Sequence, residues 1–124
     1  MAKTNFEELN VYQISETLAD EIWEIVVKWD SLAKDTVGKL IIRAADSIGA
    51  NIAEGCGRGS ATDNRRFIII ARGSLYETRS WLRRAYKRKL LSTSQVEKLK
   101  PLIDNLSPML NGYYRSVTNA ASKK

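Results

Sequence analysis

Apolar residues in this chain recur at steps of three and four, in four separate runs. The first is Val11, Ile14, Leu18, Ile22, Ile25 and Trp29, spaced 3, 4, 4, 3 and 4. Such spacing puts them on one face of an α-helix and excludes the two-residue alternation of a half-buried strand. It predicts a helix over about residues 10–30. Tyr12, Ala19, Trp23 and Val27 run beside the stripe. They make the apolar face wider than one core needs, which points to a partner surface.

The second run, Val37, Ile41, Ala44, Ile48 and Ile52, predicts a helix over about 37–55, capped by Asp35 or Thr36. Gly49, Ala50 and Ala53 on it allow another backbone to come close. Gly55-Cys56-Gly57-Arg58-Gly59-Ser60 then breaks the pattern. Glycines suit a helix C-terminus, and Ser60 suits the next N-cap, with Asp63 completing a weak capping box. The third helix is long, about 61–89, or roughly 43 Å. Its expected inward face is Phe67, Ile70, Ser74, Leu75, Thr78, Trp81, Leu82 and Ala85. Ile68-Ile69-Ile70 has strand character, but no turn signal bounds it. Ser92-x-x-Gln95 is a full capping box and opens a fourth helix, about 93–118, with Val96, Leu99, Leu102 or Ile103, Leu106, Met109 or Leu110, and Tyr113 inward. Pro101 and Pro108 lie inside it and should bend it. The tail from Asn119 reads as frayed. No linker or repeat divides the chain, so residues 1–124 are expected to be a single all-α domain. Four amphipathic helices with short connections predict an antiparallel up-and-down four-helix bundle.

Composition narrows the chemistry. No apolar run approaches the ~20 residues of a membrane span. No apolar leader segment is visible either. One cysteine, Cys56, cannot form an internal disulfide. Together these predict a cytoplasmic protein with no membrane role. There is no histidine, which removes the commonest general base and the commonest metal ligand. The expectation is therefore a non-enzymatic chain with no catalytic residue, cofactor or metal.

Charge is sharply segregated. Residues 58–89 hold ten bases against two acids, a formal +8, whereas residues 1–57 hold five bases against ten acids. Arg65, Arg72 and Arg79 are seven apart on the third helix, and Arg83 and Lys87 continue the line. Arg66, Arg84 and Arg88, with Lys89, widen it at its ends. Guanidinium groups grip phosphate oxygens through paired N–H donors. The interleaved Tyr76 and Tyr86 offer rings to exposed bases, and Trp81 reads better as core. These residues, with Arg58 beside the helix start, predict binding of RNA or DNA without sequence preference. Two other readings stay open: ion pairs with the acidic first half, in the same or a neighbouring copy, and a solvated face.

The stretch Ser47-Ile48-Gly49-Ala50-Asn51-Ile52-Ala53-Glu54-Gly55-Cys56-Gly57-Arg58, followed by Phe67 and by Gly73-Ser74-Leu75-Tyr76-Glu77, resembles the bacterial four-helix-bundle family named for 23S rRNA intervening sequences. Phe6-Glu7-Glu8-Leu9-x-Val11-Tyr12 and Met109-Leu110-Asn111-Gly112 extend the likeness over about residues 6–117. The resemblance implies a cytoplasmic bundle assembled as a ring-like homopentamer. A related branch, the accessory variability protein of diversity-generating retroelements, implies nucleic-acid binding and a reverse transcriptase partner. Pro101, Pro108 and Gly49 depart from the family pattern.

Three smaller constellations carry weaker signals. Gly55-x-Gly57-x-x-Ser60 lacks the third glycine of a dinucleotide loop and follows a helix, so a C-cap and tight turn is the better reading. Ser47, Asn51, Glu54, Ser74 and Glu77 are expected to form a polar network between the second and third helices, fixing register or a subunit contact. Cys56 reads as a small, partly buried residue rather than a reactive thiol.

Overall fold

The computed structural model describes residues 5–122, and among them there are four long helices and no strand. A 3₁₀ turn, Phe6–Glu8, leads into α1, Asn10–Val26. A short helical turn, Ser31–Ala33, and a π-helical stretch, Lys34–Gly38, run on into α2, Lys39–Cys56. Then come α3, Ala61–Lys87, and α4, Thr93–Ser122. Helix α1 packs on α2, α2 on α3, α3 on α4 and α4 on α1, which closes a four-helix ring around one core. No described helix is long and apolar enough to cross a membrane.

The core is built from one stripe per helix. Leu18 and Ile22 of α1, Ile41, Ile48 and Ile52 of α2, Ile68 and Leu75 of α3, and Leu106 and Leu110 of α4 are essentially sealed from water. Burying one such side chain stabilises the fold by about 1.5–3 kcal/mol relative to exposure. The expected α2 stripe is buried throughout. Gly49 leaves room for α1 side chains, since a Cβ there would stand 3.0 Å from Ser15 Oγ and 3.2 Å from the Tyr12 ring.

Three expectations are corrected. Helix α1 ends at Val26, and Asp30 caps the next segment by accepting from the Ala33 N–H at 3.0 Å. Thr36, expected as a cap, instead donates to the Leu32 carbonyl at 2.7 Å from inside the helical run. The capping carboxylate five residues upstream of Asp35 intercepts the chain first. On α3, Ile68 and Ala71 point inward, while Ile70 is 42% exposed and Phe67 only half-buried. Three equal isoleucines in a row give hydropathy no means of choosing the register.

Helix α4 continues through Pro101 and Pro108, both exposed. The carbonyls that the two prolines leave unpaired belong to Glu97 and Asp104, also exposed. Water can satisfy them, which limits the cost of a proline inside a helix. The capping box that opens α4 is formed in both directions: the Ser92 N–H donates to Gln95 Oε1 at 2.9 Å, and the Gln95 N–H donates to Ser92 Oγ at 3.1 Å.

Candidate nucleic-acid interface

Helix α3 sets the charge of one side of the molecule. Of its six buried residues only Thr78 is polar, and the Thr78 hydroxyl donates to the Ser74 carbonyl at 2.8 Å within the same helix. With the inward face fixed, 100° per residue places the basic residues in two sets. Arg65, Arg72, Arg79, Arg83 and Lys87 lie on the flank of α3 that meets α4. Arg66, Arg84 and Arg88 lie roughly 100–140° further round. The expected single surface is thus two: a line along the α3–α4 cleft and a more distant cluster.

Their partners differ as well. Arg58 pairs with Glu54 at 3.1 Å and lies over the Phe67 ring at 4.9 Å. Arg66 pairs with Asp63 at 3.7 Å and lies over the same ring, also at 4.9 Å. These two guanidinium groups are committed to the loop and the start of α3. The other seven expected binding residues have no carboxylate within ion-pair distance among the described residues. Arg72 Nη1 donates to Asn111 Oδ1 of α4 at 3.1 Å, which orients its guanidinium across the cleft. Arg79 lies over the Tyr76 ring at 5.7 Å.

Three concavities follow this line. One of about 330 Å³ is bounded by Ile69, Arg72, Asn111, Tyr114 and Arg115. One of about 350 Å³ lies against Tyr76 and Arg79. The third, about 230 Å³, has Leu82, Leu91, Leu99 and Ile103 as its floor and Arg79, Arg83 and the Lys100–Asp104 ion pair, at 2.8 Å, at its edge. Tyr114, Arg115, Asn111 and Lys100 were not singled out from sequence as binding residues. They sit on α4, and only the packing of α4 beside α3 brings them to the arginines. The 3- and 4-residue spacing of Asn111, Tyr114 and Arg115 was the available signal.

The expected polar network takes a different form. Asn51 donates to the Ser47 carbonyl at 2.8 Å, Glu54 holds Arg58, and Glu77 accepts from Trp81 Nε1 at 3.3 Å. Each bond stays on its own helix or its end, because helical geometry offers a nearer partner three or four residues away. No hydrogen bond among the described residues joins Ser47, Asn51 or Glu54 to Ser74 or Glu77. The buried polar contact between helices is elsewhere. Tyr113 Oη sits 3.1 Å from Cys56 Sγ and accepts from Asn64 Nδ2 at 3.4 Å. Burial, and next the Cys56 contact, push the Tyr113 hydroxyl up to about 12. The Gly55–Ser60 loop is a helix end and restart: the Gly57 N–H donates to the Ala53 and Glu54 carbonyls, and Ser60 Oγ accepts from the Asp63 N–H at 3.1 Å.

The opposite side, between α1 and α2, carries the reverse charge. A cleft of about 280 Å³ there is lined by Tyr12, Ser15, Glu16, Asp20, Asp46 and Gly49 among others. Burial and then the neighbouring Asp20 charge raise the Asp46 carboxyl above its usual range. Trp23 and Leu32, in the same acidic half of the chain, are 52% and 76% exposed.

Fold and surface together define a helical bundle with one basic and one acidic side. The chain belongs to the 23S rRNA-intervening sequence protein family, whose model matches residues 7–112. No curated protein matches it.

Proposed function

We propose that this protein is a non-enzymatic nucleic-acid-binding protein that holds RNA or DNA along α3 and self-associates as a ring-like homo-oligomer. One observation carries the reading: six bases of α3 and Arg88 just past its end have no ion-pair partner among the described residues, while ten of the chain's fourteen acids lie in residues 1–57. Among the described residues, intramolecular ion pairs take up Arg58 and Arg66 and leave the other seven of the nine without a carboxylate partner. Membership of a family named for rRNA intervening sequences is in keeping with an RNA ligand. Self-association multiplies a weak contact by avidity.

The test is binding of a labelled oligonucleotide at several salt concentrations. Affinity falls steeply with salt, because neutralised phosphates release counterions. Reversing the charge at Arg72, Arg79 and Arg83 abolishes it. Unchanged binding by that triple variant sinks the reading.

The acidic cleft and the exposed Trp23 favour a second reading, a purely structural oligomer in which the basic surface meets α1 of a neighbouring copy. Light scattering separates the two. Assembly that collapses in salt, with no shift on adding RNA, supports the structural oligomer. Rings that persist in salt and shift with RNA support the binding protein. Co-purification with a reverse transcriptase tests the further partner that the retroelement branch implies.

A further inference from the structure

The α3 line is not purely basic. Arg65, Ile69, Arg72, Tyr76, Arg79, Arg83 and Tyr86 follow one another at steps of 4, 3, 4, 3, 4 and 3, so all seven fall on one helical flank. Four arginines are interleaved with Ile69, Tyr76 and Tyr86 along about 32 Å of helix, with Arg79 and Arg83 the one adjacent pair of cations. Ile69, Tyr76 and Tyr86 are 47%, 54% and 52% exposed, so the rings and the isoleucine are surface, not core. At one end the cleft of about 330 Å³ sets Arg115 and Tyr114 of α4 opposite Arg72 and Ile69. At the other, the cleft of about 230 Å³ has an apolar floor beneath Arg79 and Arg83, with the Lys100–Asp104 ion pair of α4 on its far edge.

We infer that the α3–α4 cleft is a site for single-stranded nucleic acid, and that it selects single strands over duplexes. This rests on the nucleic-acid reading above and specifies its ligand. The reason lies in the alternation. A duplex offers a rod of phosphates with its bases stacked inside, so it satisfies the arginines and leaves Ile69, the two tyrosines and the apolar floor uncovered. An acidic peptide does the same unless it also carries rings. A single strand offers phosphates and free base faces in turn, and a base face finds Ile69 or Tyr76 between two guanidinium groups, or Tyr86 beyond Arg83. The strand is flexible enough to bring its phosphates to arginines about 10.5 Å apart, which a rigid helix is not. The apolar floor takes a base edge-on while the phosphate stays at the charged edge.

Fluorescence anisotropy on the full chain tests this with four probes: oligouridine RNA, oligothymidine DNA, a mixed-sequence duplex of equal length, and polyglutamate. The single strands, RNA and DNA alike, are expected to bind at least tenfold more tightly than the duplex. Tyr76→Ala/Tyr86→Ala is expected to weaken single-strand binding by roughly tenfold or more and to leave duplex binding unchanged. Tyr76→Phe/Tyr86→Phe restores it, since the ring and not the hydroxyl is used. Both sites are exposed, so the variants fold. A duplex bound as tightly as the strands, or strand binding indifferent to the rings, overturns the inference and leaves nucleic-acid binding standing. Polyglutamate bound as tightly as the strands overturns it too, because charge alone would then suffice. No binding of any oligonucleotide at low salt removes both readings together.

Discussion

Lys89 has a backbone φ of 64°, the left-handed region that costs an L residue about 1–2 kcal/mol. The strain closes α3: the Leu90 N–H reaches back to the Ala85 carbonyl at 2.9 Å, and the Lys89 N–H to Tyr86 at 3.0 Å. Lys89→Gly should therefore raise stability by about 0.5–1 kcal/mol, read as a higher denaturation midpoint. Gly55 works the other way. A Cβ there would stand 2.5 Å from Asn64 Oδ1 and 3.2 Å from the Asn64 carbonyl. Gly55→Ala is expected to cost about 2 kcal/mol, because the Asn64 side chain can swing away but Phe67 Cβ, 3.0 Å off, and the Asn64 carbonyl move only with the α3 backbone. Tyr113 adds a pH dependence. Its hydroxyl titrates near 12 folded against the ordinary 10.0, so the folded protein holds that proton longer. The contribution is whole below pH 10 and lost as pH rises through about 12. Tyr113→Phe should flatten the alkaline arm of the stability curve over that window.

At the scale of elements, the caps are the most local signals and the most legible. Ser60 and the Ser92–Gln95 pair work as their spacing implies, since a cap depends on four consecutive residues and little else. Ser92→Ala/Gln95→Ala should cost about 1 kcal/mol and fray the first turn of α4, visible as faster amide exchange there. The start of the second rod was misplaced because Asp30, Asp35 and Thr36 all suit a cap. The choice among them depends on where α1 ends against the core. The α3 register failed for a similar reason: Phe67 and Ile70 are as apolar as Ile68, and Ala71 gives almost no hydropathy signal. What decides is the fit against α2 and α4, a tertiary matter. The arginine line survived that error, because seven-residue spacing keeps Arg65, Arg72 and Arg79 together whichever face turns inward.

For the whole molecule, the segregation of charge was legible from the sequence, and its placement was not. Composition could say that residues 58–89 are basic, but not which carboxylates would fold against them. Among the described residues, packing leaves the arginines of the α3 flank beside α4 without ion pairs and puts Arg115 of α4 along the same cleft, while Lys100 there is paired with Asp104 at 2.8 Å. Glu21, from the acidic half, reaches only Lys98, at 3.1 Å. Self-association through the acidic side would leave the basic cleft open, whereas pairing the two sides would fill it. Nucleic acid is proposed to lie in this cleft. Ultraviolet crosslinking of a bound single strand, mapped to residues by mass spectrometry, tests it most directly. Crosslinks at Tyr76, Tyr86 and Tyr114 are expected. Crosslinks confined to Tyr12, Trp23 and their neighbours on the α1–α2 side would contradict that placement.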